Sequence, residues 1–313
     1  MSSPWTAEQL PDCTHKTVVV TGANSGLGFE ATKAFAANGA TVIMACRSTD
    51  RGARAATEIR ESVASPESKL DVRSCDLASL RSVESVASEV AEDYPSIDVL
   101  CNNAGVMAIP RQETEDGFEK QLGVNHLGHF ALTGHLLDRL RRSDGESRVV
   151  THSSGAHTAG ELDFDDLHRT RSYGKWEAYG QSKLANLLFA YELQRRLDAA
   201  GVTNTISVAC HPGYAATNLQ YRGPKESGSA VRLTLMKIAN TVVGQPAEDG
   251  ALPLLYAATA PNVGGGEYYG PGGLLNMRGA PEKQTSSDAS YDKATATRLW
   301  ERSEDLTGVR YEL

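Results

Sequence analysis

Disulfide chemistry has little to work with here, because the 313 residues hold five cysteines, an odd number with no C-x-x-C pair. That argues against a disulfide scaffold and for a reducing compartment. Cys46, Cys75, Cys101 and Cys210 each fall at or near the end of a β-like run (TVIMAC, LDVRSC, DVLC, ISVAC). Small buried hydrophobes fit those places better than metal or redox ligands. Long apolar runs are missing too: no window reaches the ~18 uninterrupted apolar residues a spanning helix needs. The opening MSSPWTAEQLPDCTHK has neither an apolar stretch nor a basic n-region. The expectation is a soluble, cytoplasmic chain with no stable membrane insertion. Basic runs are absent, and a net charge of −8 argues against nucleic acid as the main partner. No H-E-x-x-H occurs. His126 and His129 stand three apart, but a metal site wants three or four convergent ligands, so no metal is expected.

What is present is ordinary globular material, 40% hydrophobic and 22% charged, enough for a sizeable core. After a polar tail over 1–15, short β-branched runs alternate with helical stretches. KTVVVTG, TVIMACR, KLDVRSCD, IDVLCNNAG, SRVVTHSS and NTISVACHPG read as strands. Helices are expected from SGLGFEATKAFAANG, over 50–63, 79–93 and 124–142, and from about 175 to 200. Unbroken Val/Ile/Leu strands separated by helices predict an α/β fold, a single Rossmann-type doubly wound parallel sheet with helices on both faces. No repeat or low-complexity linker interrupts the series, so residues 1–313 read as a single domain.

TGANSGLG, residues 21–28, lies at the first strand–helix junction. Gly22 permits the tight turn, Gly26 close backbone approach and Gly28 tight helix–strand packing, and the helix N-terminus then faces a diphosphate. Arg47 follows Gly26 by 21 residues, where a carboxylate would hold an NAD ribose and an arginine accommodates a 2′-phosphate. NADP(H) is therefore favoured, with NAD(H) possible. Asp50, the nearby carboxylate, reads as a helix N-cap.

Tyr179 and Lys183 are four apart in a run with Leu184, Leu187, Leu188, Tyr191 and Leu193, which stacks phenol and ammonium on one helix face. A cation within ~4–6 Å lowers a phenol's pKa. The pair is a plausible proton donor and acceptor for alcohol–carbonyl interconversion.

TGANSGLG, NNAG (102–105), NHLGHF (125–130), SSGAH (153–157), YGQSK (179–183) and HPGYAATNL (211–219) occur in that order. With them the chain resembles a short-chain dehydrogenase/reductase, within the retinol dehydrogenase and light-dependent protochlorophyllide reductase branch. The resemblance implies a catalytic set of Asn125, Ser154, Tyr179 and Lys183. Ser154 would hydrogen-bond the substrate oxygen and Tyr179 would exchange its proton. Lys183 would lower the pKa of Tyr179 and hold the nicotinamide ribose, and Asn125 would carry a water-linked proton path to Lys183. On the cofactor side it implies Gly22, Asn24, Ser25, Gly26, Leu27 and Gly28 at the diphosphate. Asp76, with Leu77 beside it, would bind the adenine edge. Asn102, Ala104 and Gly105 would line the adenosine ribose, and Pro212, Gly213 and Thr217 would sit against the nicotinamide. Purely structural roles compete: Ser154 closing a strand-end turn, Asn125 capping the helix that follows, Asp76 capping the one near Ser79.

In residues 220–243, a Gly/Pro-rich first half precedes Val231, Leu235, Ile238 and Val242 at helical spacing. Residues 214–243 are expected to be a substrate lid over a lipophilic carbonyl or alcohol, or else fixed packing. Residues 264–273 are expected to supply the last strand, and 286–313 a C-terminal helix and tail. Vertebrate retinol enzymes of this branch carry a membrane-anchoring N-terminus. Residues 1–15 contain no such stretch, which argues against bilayer-dissolved retinoids as substrate. The leading expectation is an NADP(H)-dependent oxidoreductase acting on a lipophilic alcohol and its aldehyde or ketone. The alternatives are a non-catalytic NADP(H)-binding sensor or scaffold, and a reductase of a conjugated C=C bond. A homodimer through the 124–142 and 175–200 helices is also possible.

Overall fold

The structure, a computed structural model, describes residues 4–63, 65, 68–213, 246–273 and 276–313. Strands and helices alternate from the start: β1 (Thr17–Thr21), α1 (Gly26–Ala37), β2 (Thr41–Cys46), α2 (Thr49–Ser62), β3 (Lys69–Ser74), α3 (Leu80–Asp93) and β4 (Val99–Asn102). Then come α4 (Lys120–Leu122), α5 (Gly128–Arg141), β5 (Ser147–His152), α6 (Lys175–Ala199) and β6 (Thr205–Cys210). The last described elements are α7 (Ala247–Thr259), β7 (Tyr268–Pro271), β8 (Pro281–Gln284) and α8 (Lys293–Thr307). The strands make one sheet in the order β3-β2-β1-β4-β5-β6-β7-β8. Every neighbouring pair is parallel except β7–β8.

Side-chain alternation along the strands decides the layers. Val18 and Val20 of β1 pack with Phe35 of α1, Ile59 of α2 and Leu254 of α7. Val19 points the other way, into a cluster with Val86 of α3, Leu136 of α5 and Leu193 of α6. Both faces are covered, which is why these strands are apolar at every position. All five cysteines are buried and unpaired. The chain order reverses between β1 and β4, so the loops after those strands diverge. A crevice opens at the carboxyl edge of the sheet there.

Two features depart from the sequence reading. The helix expected over 124–142 is not continuous: α4 runs into a π-helical turn, Gly123–Leu127, before α5 begins. Asn125 sits inside that turn and caps nothing, so the capping role is wrong for it. The second departure is β8, PEKQ, an antiparallel edge strand with no β-branched run to announce it. Its outward Glu282 and Lys283 protect the sheet edge from further pairing. The C-terminal segment of the same chain packs on α5 and α6. Trp300 of α8 packs on Phe130 and Phe189, and the Tyr311 hydroxyl donates to the Phe130 carbonyl at 2.7 Å.

Candidate active site

The glycine turn is built as its spacing requires. Gly22 and Gly26 have φ of 69° and 57°, where a Cβ is strained. A side chain at Gly28 would bring its Cβ within 2.5 Å of the Gly22 carbonyl oxygen, so the turn folds flat onto α1. Gly22, Asn24, Ser25, Gly26, Leu27 and Gly28 form one wall of the crevice. The free N–H groups at the start of α1 give that wall a positive end.

The far end of the crevice holds two guanidinium groups, Arg47 after β2 and Arg51 in the first turn of α2. Asp76, Leu77 and Cys75 follow β3 and line it as well. Asp50 is not the N-cap of α2: Ser48 holds that position, its hydroxyl accepting from Arg51 N at 3.4 Å. Asp76 does not cap α3 either, since Ser79 is the N-cap residue. Asp76 Oδ1 instead accepts from Ala78 N at 3.0 Å, a local turn that fixes the carboxylate beside the crevice. The residues fit a phosphorylated dinucleotide: a cradle with no room for a Cβ, a helix N-terminus behind it, and two cations 21 and 25 residues beyond Gly26.

The opposite wall corrects one expectation. Asn102 does not line the crevice; it is fully buried and donates from Nδ2 to Thr133 Oγ1 at 2.9 Å. As the last residue of β4 it points into the α5 layer, and its successor takes the exposed side. Asn103 therefore faces the crevice with Ala104, Gly105 and Val106. Thr21 pins this loop, its Oγ1 accepting from the N–H groups of Asn103 and Ala104, both at 2.9 Å. Nothing in the spacing of TGANSGLG singled out Thr21, Asn103 or Arg51.

Next to that loop the π turn puts Asn125 to work. Its Oδ1 accepts from Val106 N at 2.8 Å, while Nδ2 donates to Val106 O and to Ser182 Oγ, both at 2.9 Å. The inserted residue of a π turn re-aims a side chain, a common arrangement at functional sites. His129 Nδ1 bonds the Asn125 carbonyl at 2.9 Å, and its Nε2 meets Thr21 Oγ1 at 2.9 Å. A carbonyl only accepts, so Nδ1 carries the proton. His126 Nε2 bonds Ser303 Oγ at 2.9 Å. The two histidines hold α5 to its neighbours.

Tyr179 and Lys183 lie one turn apart on α6, 5% and 4% exposed. The Lys183 ammonium is 5.8 Å from the centre of the Tyr179 ring and donates to the His152 carbonyl at 3.1 Å. Ser154 heads a 3-10 turn, Gly155–Ala159, its hydroxyl accepting from Ala156 N at 3.3 Å. This turn lies against α6 because both chains are bare there. A Cβ on Gly160 would come within 2.4 Å of the Gly180 carbonyl oxygen.

Here the structure revises the proton chemistry. Burial pushes the Tyr179 phenol up to about 12, partly offset by the Ser154 hydroxyl beside it. Burial also pushes Lys183 down to about 8. The expected lowering of Tyr179 by Lys183 is therefore not what this geometry gives: desolvation dominates, and the ammonium lies over the ring and on a strand-end carbonyl. Burial thus favours the protonated phenol at Tyr179.

Pro212 and Gly213 follow β6 at the same edge of the sheet, Gly213 N donating to His211 Nδ1 at 3.2 Å. Neither lines the crevice above the glycine turn. Thr217 and the expected lid, residues 214–243, lie outside the described residues.

Residues 16–227 match the sequence profile of the family described as short chain dehydrogenase. The chain is 42% identical to human retinol dehydrogenase 13 over 297 residues, 94% of this chain and 85% of that one. It is 40% identical to mouse polyprenol dehydrogenase over 303 residues, covering 96% and 86% respectively. The solved structure of an uncharacterized protein from Mycobacterium paratuberculosis superposes with a TM-score of 0.81. It has 42% sequence identity and covers 99% of this chain and 100% of that one.

Proposed function

The chain belongs to the short chain dehydrogenase family, and from the site it carries we propose an NADP(H)-dependent oxidoreductase that interconverts a lipophilic alcohol and its aldehyde or ketone. The observation behind this reading is the buried pair of Lys183 and Tyr179 on α6, with the Ser154 hydroxyl beside the phenol and the Lys183 ammonium 3.8 Å from where a Cβ on Gly105 of the crevice would stand. Preference for the 2′-phosphorylated cofactor rests on Arg47 and Arg51 lining the crevice where a carboxylate would serve NAD. The lipophilic substrate class rests on the relatives, whose names specify retinol and polyprenol, both isoprenoid alcohols.

In this reading the glycine turn and α1 hold the diphosphate, Asp76 and the 103–106 loop hold the adenosine half, and Lys183 holds the nicotinamide ribose. When bound, NADPH supplies the hydride. The chain supplies the rest. Ser154 and Tyr179 orient the substrate oxygen and stabilise the charge it gains, and Tyr179 gives up its phenolic proton there. Asn125 ties the 103–106 loop to α6 through Val106 and Ser182. The test is NADPH oxidation across a panel of aldehydes, ketones, quinones and enones. Turnover of aldehydes or ketones with apolar chains is expected. Turnover confined to enones would move the assignment to C=C reduction, and none with any compound would refute catalysis of this type.

A further inference from the structure

Trp176 is the most exposed large apolar side chain among the described residues, 51% accessible, yet it stands beside the most buried part of the site. It precedes Tyr179 by three residues on α6, and its ring lies edge-on to the phenol, 6.1 Å between centroids at 79°. Three groups thus form a row along one side of α6, Lys183, Tyr179 and Trp176, each about one turn from the next. The row is closed at one end and open at the other. Lys183 is sealed against the carboxyl end of β5 through the His152 carbonyl, whereas the indole reaches solvent.

For a substrate whose oxygen sits on Tyr179 and Ser154, the side toward Lys183 is closed. Among the described residues, the indole is the exposed apolar surface adjoining the phenol on the outward side. An aromatic ring of this size is costly to leave in water and offers a large rigid contact. Resting on the reaction proposed above, we infer that Trp176 is a substrate-contact residue that selects carbonyl compounds or alcohols bearing an extended apolar chain, which lies along the indole.

The experiment compares propanal, hexanal and decanal as substrates for the full chain with NADPH, and repeats the series with Trp176→Ala and Trp176→Phe. For the native protein kcat/KM should climb with chain length. Trp176→Ala should flatten that climb, with a loss of about tenfold for decanal, carried mainly by KM, and a much smaller one for propanal. Trp176→Phe, which keeps an apolar ring, should recover most of it. An equal loss at every chain length would mean that the indole merely packs Tyr179, and would overturn the inference, as would no loss at all. A second arm does not depend on turnover: decanamide, an unreactive analogue, is titrated calorimetrically into the protein with NADPH present. Binding about tenfold weaker in Trp176→Ala supports the contact even if no aldehyde is reduced, in which case only the reaction assignment fails. Decanamide that does not bind the native protein, or binds both proteins equally, overturns the role of Trp176.

Discussion

Replacing Gly160 with alanine should disable the site from outside it. The new methyl would be built 2.4 Å from the Gly180 carbonyl oxygen, whereas carbon and carbonyl oxygen settle at about 3.3 Å or more. Relief requires the 155–160 strap and α6 to separate by about 1 Å, because the opposing atom is helix backbone. The strap begins at Ser154, which is tied into it through Ala156 N and stands beside the phenol of Tyr179, the residue before Gly180. Displacement on that scale at reacting groups costs about a hundredfold in rate. We expect Gly160→Ala to lower kcat by about 10- to 100-fold in the NADPH-dependent reduction of whichever aldehyde the panel identifies. The Kd for NADPH, from nicotinamide fluorescence, should stay within about twofold, since the strap is remote from the glycine turn. A thermal melt beside the kinetics separates this from unfolding. Native kcat in a folded variant would refute the claim that the Gly160–Gly180 approach sets the Ser154–Tyr179 geometry.

Two further outcomes follow from charge. His126, His129 and His152 are held by burial at about 3, 4 and 3, against 6.5 when exposed, so below pH 6.5 the unfolded chain takes up protons that the folded one refuses. Stability is therefore full above pH 6.5 and falls as the pH drops below it. The carboxyls of Glu119 and Glu30, raised by desolvation, oppose this in part. Urea midpoints by circular dichroism at pH 7 and 5 read the loss; equal midpoints would contradict it. At the cofactor end, Arg47→Asp should shift the NADPH/NADH preference by at least about tenfold toward NADH, with Arg51→Ala weakening NADPH binding to a smaller degree. An unchanged ratio of kcat/KM values would remove Arg47 from the 2′-phosphate site.

Much of this arrangement was legible in the chain because local pattern and tertiary role coincide. Val18–Val20 and Val42–Met44 are apolar at every position since both sheet faces are covered, and that shows in sequence. Helical spacing put Tyr179 and Lys183 on one face, and α6 spans Lys175–Ala199 against the expected 175–200. What escaped depends on partners distant in sequence or on a single inserted residue. The π turn at Gly123–Leu127 leaves the apolar periodicity almost unchanged while re-aiming Asn125. Whether Asn102 or Asn103 faces the crevice turns on where β4 ends, by one residue. β8 is strand only because β7 offers it an edge. The proton affinities of Tyr179 and Lys183 could not be read from their spacing, because burial outweighs their mutual field. Gly160 and Gly180, twenty residues apart, have meaning only as a pair.

The proposed reaction turns on one proton, the phenolic hydrogen of Tyr179. The most direct measurement is single-turnover NADPH oxidation by Tyr179→Phe beside the native protein, at saturating aldehyde and with NADPH affinity measured separately. If Tyr179 gives up that proton, the variant's rate falls by at least about 100-fold with NADPH affinity nearly unchanged. Oxidation at the native rate by the phenylalanine variant would contradict it.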